Sequence, residues 1–181
     1  MKEALGKPGA PMSMRGAYGG ANPHFSTEYA EYSFNCQRCV VAYEARRRGY
    51  NVTALPAYKG DVLPYGTGHG NARWMGAFKG AKSVSVGAGT RKEAEGNLAS
   101  QMKRWGDGSR AIVRVGWANS TSGHVFNVEN RRGRMHYVDA QTGDRVNIKQ
   151  YLGQANPSTV RLVRTDNLRF SERAKKSITA G

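Results

Sequence analysis

The only two cysteines of the chain lie three residues apart in one short stretch, Asn35-Cys36-Gln37-Arg38-Cys39-Val40-Val41-Ala42-Tyr43-Glu44-Ala45-Arg46-Arg47-Arg48-Gly49. Asn35 is a good N-cap, so the stretch predicts a helix beginning at Cys36. Gly49 is a good stop, and Arg46 to Arg48 fall where the helix dipole prefers cations. Cys36, Cys39, Val40 and Tyr43 recur at i, i+3, i+4 and i+7, which is one helical face. A cysteine in the first turn faces unpaired N–H groups and the positive end of the dipole, a setting that favours the reactive thiolate. Cys39, in the middle of the apolar face, reads as a small core residue.

Other uses of this cysteine pair fit less well. A zinc site needs a second Cys-x-x-Cys or a pair of histidines nearby, and neither is present, so no metal and no cofactor is expected. A thioredoxin-like redox pair follows a strand, and residues 28–35 read only weakly as one.

The net charge of +15, from 28 Lys and Arg against 13 Asp and Glu, points to an acidic partner: nucleic acid, an acidic protein surface or an acidic immunity or inhibitor protein. The basic residues are scattered rather than blocked, which weakens the nucleic-acid reading. Residues 1–22 hold no apolar segment of a signal peptide, and no apolar run is long enough to span a membrane, so no membrane partner is expected. The length predicts one domain.

With five glycines and two prolines, residues 1–22 read as a flexible arm or linker, joining the domain to something upstream. Residues 57–88 are rich in Gly, Tyr and Trp without a period, and His69 reads as a loop histidine there. Lys82-Ser83-Val84-Ser85-Val86 alternates like a short strand. Thr90-Arg91-Lys92-Glu93 is a capping box, followed by Ala94, Leu98, Met102 and Trp105 on one helical face and closed by Gly106. Residues 111–118 form a β-branched run that reads as a central strand.

A turn at residues 119–123 then delivers a strand from His124 to Asn130. Arg131-Arg132-Gly133 reverses the chain, and residues 134–139 return antiparallel. With the turn centred near Arg132, His124 should oppose position 139 or 140, which brings it near Asp139. Residues 146–152 read as a short helix ended by Gly153, and 158–164 as a last strand. From residue 165 the chain is polar and basic and reads as a fraying tail. The expected division is therefore an arm at 1–22, a folded domain at 23–164 and a basic tail at 165–181. His24 falls in the arm, His136 in the sheet or facing solvent, and Trp74, Trp105 and Trp117 read as core.

A thiol at a helix start, an imidazole at a strand start and a carboxylate across the hairpin form a Cys–His–Asp set. The thiolate attacks a carbonyl carbon, the imidazole moves the proton, and the carboxylate holds the tautomer. Asn35-Cys36-x-x-Cys39-Val40-Val41-Ala42 with the Arg-Arg-Arg-Gly run, Gly123-His124-Val125-Phe126, and Asp139-x-Gln141-x-Gly143 together resemble the papain-fold toxin family of glutamine deamidases. Such domains occur at the C-termini of bacterial polymorphic toxins and in phage head-associated proteins. The resemblance covers about residues 22–145 and is specific at the cysteine helix and the hairpin.

It implies an α+β, papain-like fold in which a nucleophile-bearing helix packs on an antiparallel sheet. It also implies hydrolysis of a protein glutamine side chain to glutamate, with Cys36 as nucleophile, His124 as base and Asp139 as orienting acid. The substrate would be a glutamine-bearing protein, met in the cytoplasm or in a target cell reached as part of a toxin or phage particle. One departure stands out: no glutamine lies about six residues before Cys36, where papain-type proteases keep an oxyanion-hole side chain. Gln37 and Gln141 are the candidates for oxyanion or substrate contacts. Cys39 is the alternative nucleophile, although its i+7 neighbour is Arg46 and its face is mixed. A Cys36–Cys39 disulfide would silence either. Two rival functions remain: a papain-like protease or transglutaminase on the same fold, and a non-enzymatic basic phage or nucleic-acid-binding structural module.

Overall fold

The computed structural model describes residues 6–26, 29–57 and 74–181. Elements follow in the order α1 (Met14–Gly19), α2 (Ala30–Ser33), α3 (Cys36–Arg47), β1 (Val52–Ala54), β2 (Val84–Ser85), α4 (Arg91–Trp105), β3 (Arg110–Trp117), β4 (Gly123–Arg131), β5 (Arg134–Asp139), β6 (Asp144–Arg145), α5 (Ile148–Gln154), β7 (Ala155–Arg164) and β8 (Ile178–Ala180). Six strands form one antiparallel sheet in the order β2-β7-β3-β4-β5-β6, and β1 pairs with β8 in a separate ribbon. The expected α+β architecture, a cysteine-bearing helix against an antiparallel sheet, is what the chain adopts.

Alternation along the strands divides the core between the two faces of the sheet. Ile112, Val125, Val138 and Val163 join α3 and α1 on one side. Val113, Phe126, Val128 and Leu162 join Leu98 and Met102 of α4 and Leu152 of α5 on the other. The capping box of α4 is formed, Thr90 Oγ1 accepting from the Glu93 N–H and Glu93 accepting from the Thr90 N–H. In α5 the cap is Asn147, and the helix runs through Gly153 instead of stopping there.

Helix α3 begins at Cys36 as expected, but Asn35 does not cap it with its side chain. Its carbonyl takes the first helical bonds, from the N–H groups of Arg38 and Cys39. Its buried amide is a tie between distant segments: Nδ2 donates to Asn22 Oδ1 and Leu55 O, while Oδ1 accepts from Gln141 Nε2 and from the Cys39 thiol. The helix ends at Arg47, and the chain turns away at Gly49, where φ is +88° and any Cβ would run into the Gly9 carbonyl.

The arginines at that end do more than answer a dipole. Arg47 pairs with Glu129 on β4 at 2.6 Å. Arg48 and Arg110 both pair with fully buried Glu44, at 2.7 and 2.8 Å. Arg46 donates to the carbonyls of Gly16 and Val52, Arg47 to that of Met12, and Arg48 to those of Thr165 and Leu168.

Those bonds bear on the two segments expected to be loose. Residues 6–22 lie against α3, with Met14, Ala17, Ala21 and Asn22 buried. The segment from residue 165 onward is ordered through β8, with Thr165, Ala174 and Ile178 buried. Small residues and backbone acceptors, not a long apolar stripe, hold both in place, which is why composition alone gave an arm and a tail. His69 lies outside the described residues.

Candidate functional site

The hairpin turn sets the geometry. Arg132 and Gly133 both have positive φ, the requirement of a tight two-residue loop. The loop fixes Asn127 opposite Val138. Continuing that count, Asp139 stands level with Phe126, and His124 is its diagonal neighbour on the same side of the sheet. The same count sets His124 level with Gln141, one or two positions beyond the 139 or 140 expected from the sequence, yet the diagonal brings the side chains together. His124 Nε2 and Asp139 Oδ2 are 2.7 Å apart, and both side chains are buried.

Cys36 hydrogen-bonds the same imidazole. With Nε2 held by Asp139, the other ring nitrogen is the one left for sulfur. Burial by itself depresses the His124 pKa, but the hydrogen bonds to Asp139 and Cys36 and their negative charges outweigh it and push it up to about 10. Burial likewise works against the Asp139 carboxylate, and bonds from His124, the Gln141 N–H and Tyr151 overcome it, so its pKa is lowered. Set between the sulfur and the carboxylate, the imidazole is thus favoured in its protonated form.

Cys36, His124, Asp139, Gln37 and Gln141 all line one open cleft of about 460 Å³, together with Trp117 and Tyr151. Cys39 does not. It has no exposed surface, against 8 % for Cys36, and its thiol is bonded to Asn35 Oδ1 at 3.2 Å. Burial and the nearby charges of Cys36 and Asp139 push the Cys39 thiol well above its ordinary value. The two cysteines are not joined by a disulfide.

The two glutamines differ. Gln141 is a strut: Nε2 donates to Ser33 O at 2.9 Å, the N–H donates to Asp139 Oδ1 at 2.9 Å, and the carbonyl accepts from Asn22 Nδ2 at 2.9 Å. Its amide is occupied in holding Asp139 beside α3. Gln37 is the reverse case, for its Oε1 is buried with no hydrogen-bond partner.

Two residues of the site were not singled out from the sequence. Tyr151 on α5 donates to Asp139 Oδ2 at 2.9 Å, sharing that oxygen with His124. Trp117, expected in the core, stacks on the His124 ring at 5.9 Å and 14°. An aromatic residue reads the same in sequence whether it fills a core or walls a cleft, so no signal separated these two. His24 is exposed and His136 is half-buried on β5, away from the cleft.

Among the described residues no group of His, Cys, Asp and Glu could hold a metal ion, and no helix is long and apolar enough to cross a membrane. Comparison with known proteins gives one family: the model described as papain fold toxin 1, glutamine deamidase, matches residues 34–144. No curated protein and no solved structure matches the chain significantly.

Proposed function

The chain belongs to the papain fold toxin 1, glutamine deamidase family, and on that premise we propose that it hydrolyses the side-chain amide of a glutamine in a target protein, with Cys36, His124 and Asp139 carrying the reaction. The observation that supports this most directly is the contact line thiol, imidazole, carboxylate in one open cleft, with His124 bonded to both neighbours. The imidazolium favours the Cys36 thiolate, which attacks the glutamine Cδ. The developing oxyanion faces the first turn of α3, where the Cys36 N–H and the helix dipole favour negative charge. His124 returns its proton to the leaving nitrogen, ammonia departs and a thioester remains. His124, now neutral, takes a proton from water as its oxygen attacks the thioester carbon. Glutamate leaves and the thiol is restored. Asp139 keeps the ring oriented throughout, and Tyr151 keeps Asp139 oriented.

Cys39 has no place in this scheme, because a sealed thiol with a raised pKa is a poor nucleophile. The toxin name of the family extends the proposal to a chain delivered into a target cell, where the substrate is a protein.

The test pairs a chemical with an enzymatic readout. Iodoacetamide at neutral pH should alkylate Cys36 and spare Cys39 by peptide mapping. Incubation with a proteome should release ammonia and raise glutamine-bearing peptides by about one dalton, and Cys36→Ala should abolish both, since the covalent step is lost. Peptide-bond cleavage, or ammonia release with an added amine joined to the glutamine in place of the one-dalton gain, would replace the proposal with a protease or a transglutaminase.

A further inference from the structure

Behind the wall made by Phe34 and Gln37 lies a second cleft of about 380 Å³, and those two residues line both. Its described lining carries three cations, Arg38, Arg173 and Lys176, and no acidic side chain. Arg38 Nη1 donates to the Lys176 carbonyl, which ties the helical turn Glu172–Lys176 to the start of α3 and keeps the three cations on one rim. The acid of that turn, Glu172, is paired with Lys175. Arg173 and Lys176 are exposed and have no ion-pair partner among the described residues. Between the clefts, Phe34 is 66 % exposed, and the Gln37 oxygen beside it is buried without a donor.

These facts have one economical reading. A cleft rimmed by Arg173 and Lys176, with no acidic side chain among its described lining, adjoins the cleft of the Cys36 thiol across a projecting ring and a desolvated acceptor. An unpaired buried acceptor costs free energy until a donor meets it, and a peptide backbone crossing from one cleft to the other would bring such a donor. We propose that the second cleft is a recognition subsite for an acidic side chain of the substrate protein, a few residues from the glutamine that enters the first. The proposal rests on the deamidase reading for what happens at Cys36, but the binding it describes is separate. An extended chain advances about 3.3 Å per residue, so the acidic residue lies close in sequence to the target glutamine. Phe34 packs on the residue between them, and Gln37 Oε1 accepts from the backbone there. The overall charge of +15 adds long-range attraction for such a partner.

The experiment uses short fluorescein-labelled peptides with one central glutamine, carrying glutamate, serine or lysine on either side of it. Fluorescence anisotropy is read with Cys36→Ser, so that binding is seen without turnover, and ammonia release is read with the unaltered thiol. The R173Q/K176Q double variant touches neither the reacting groups nor the buried core. The expected result is that the glutamate peptide binds about fivefold or more tightly than the serine peptide at low salt, and that R173Q/K176Q removes this preference while leaving serine-peptide binding unchanged. In turnover the same variant should raise KM for the glutamate peptide and leave kcat unaltered. Acid-selective binding without ammonia release would retain the subsite and sink the deamidase reading. Three results would overturn the subsite: peptides that all bind alike, a double variant that weakens every peptide equally, or no measurable binding of any of them. So would a single-stranded oligonucleotide that binds through Arg173 and Lys176 while the peptides ignore them.

Discussion

At the scale of single residues, the two titrating partners His124 and Asp139 make opposite demands on pH. His124 is pushed up to about 10 in the folded chain, so its contribution to stability is full below its ordinary value near 6.5 and is lost as pH rises through about 10. Asp139 is held below its ordinary 3.8, so its contribution is present above that value and is lost as pH falls through the lowered one. The difference in melting temperature between the unaltered chain and Asp139→Asn should therefore be widest between about pH 4 and 6.5 and shrink on both sides. In turnover, Asp139→Asn should cost on the order of 10³-fold in ammonia release, because the imidazole loses its orienting acceptor. Tyr151→Phe, which removes one of several bonds to the same carboxylate, should cost about tenfold or less. That Cys36, His124 and Asp139 meet was readable from local rules, a helix start and a tight turn. Tyr151 was not, because its place beside Asp139 depends on how α5 folds back over β4 and β5, and no local pattern encodes that.

At the scale of elements, the contrast between α4 and α3 is instructive. The cap and the apolar stripe of α4 are local, and both were legible in residues 90–106. What holds α3 is remote. Glu44 accepts from Arg48, Arg110 and Thr165, and Glu129 accepts from Arg47 and Tyr43. In sequence Glu44 looked like one more charge on a helix, since its acceptors' partners lie 66 and 121 positions away. Glu44→Ala leaves two guanidinium groups and a hydroxyl facing a cavity, and should destabilise the fold by about 3–5 kcal/mol in urea titration. Thr90→Ala, which removes an exposed cap, should cost about 1 kcal/mol in the same measurement.

At the scale of the whole molecule, the segments on either side of the expected domain belong to its body. Residues 6–22 and 165–181 meet α3 and β1, and β8 closes the ribbon by placing Ala180 opposite Val52 and Ile178 opposite Ala54. Their glycine-rich and basic composition hid this, because a two-stranded ribbon and a few buried alanines leave almost no periodic trace. Ile178→Asp, at a buried position, should lower stability by about 3 kcal/mol or more and expose residues 6–22 to limited proteolysis. Thr179→Asp, one residue along and exposed, should change it by about 0.5 kcal/mol or less. The family match over residues 34–144 stops short of both segments. Flanking parts of the chain thus complete the core, and α5, also beyond the match, supplies Tyr151 to a cleft whose Cys36, His124 and Asp139 lie within it.

The placement of β7 carries one more implication. It lies between β2 and β3, and its Val160, Leu162 and Val163 fill both sides of the sheet, yet residues 155–164 are made after every group that lines the reactive cleft. During synthesis, the cysteine, the histidine and the aspartate all leave the ribosome before the strand that pairs with β3, so the emerging polypeptide is expected to stay chemically quiet until that strand arrives. If the proposed deamidation holds, harm to the producing cell would begin with the final folding event and not with translation, and a neutralising partner that recognises only the finished surface would be early enough.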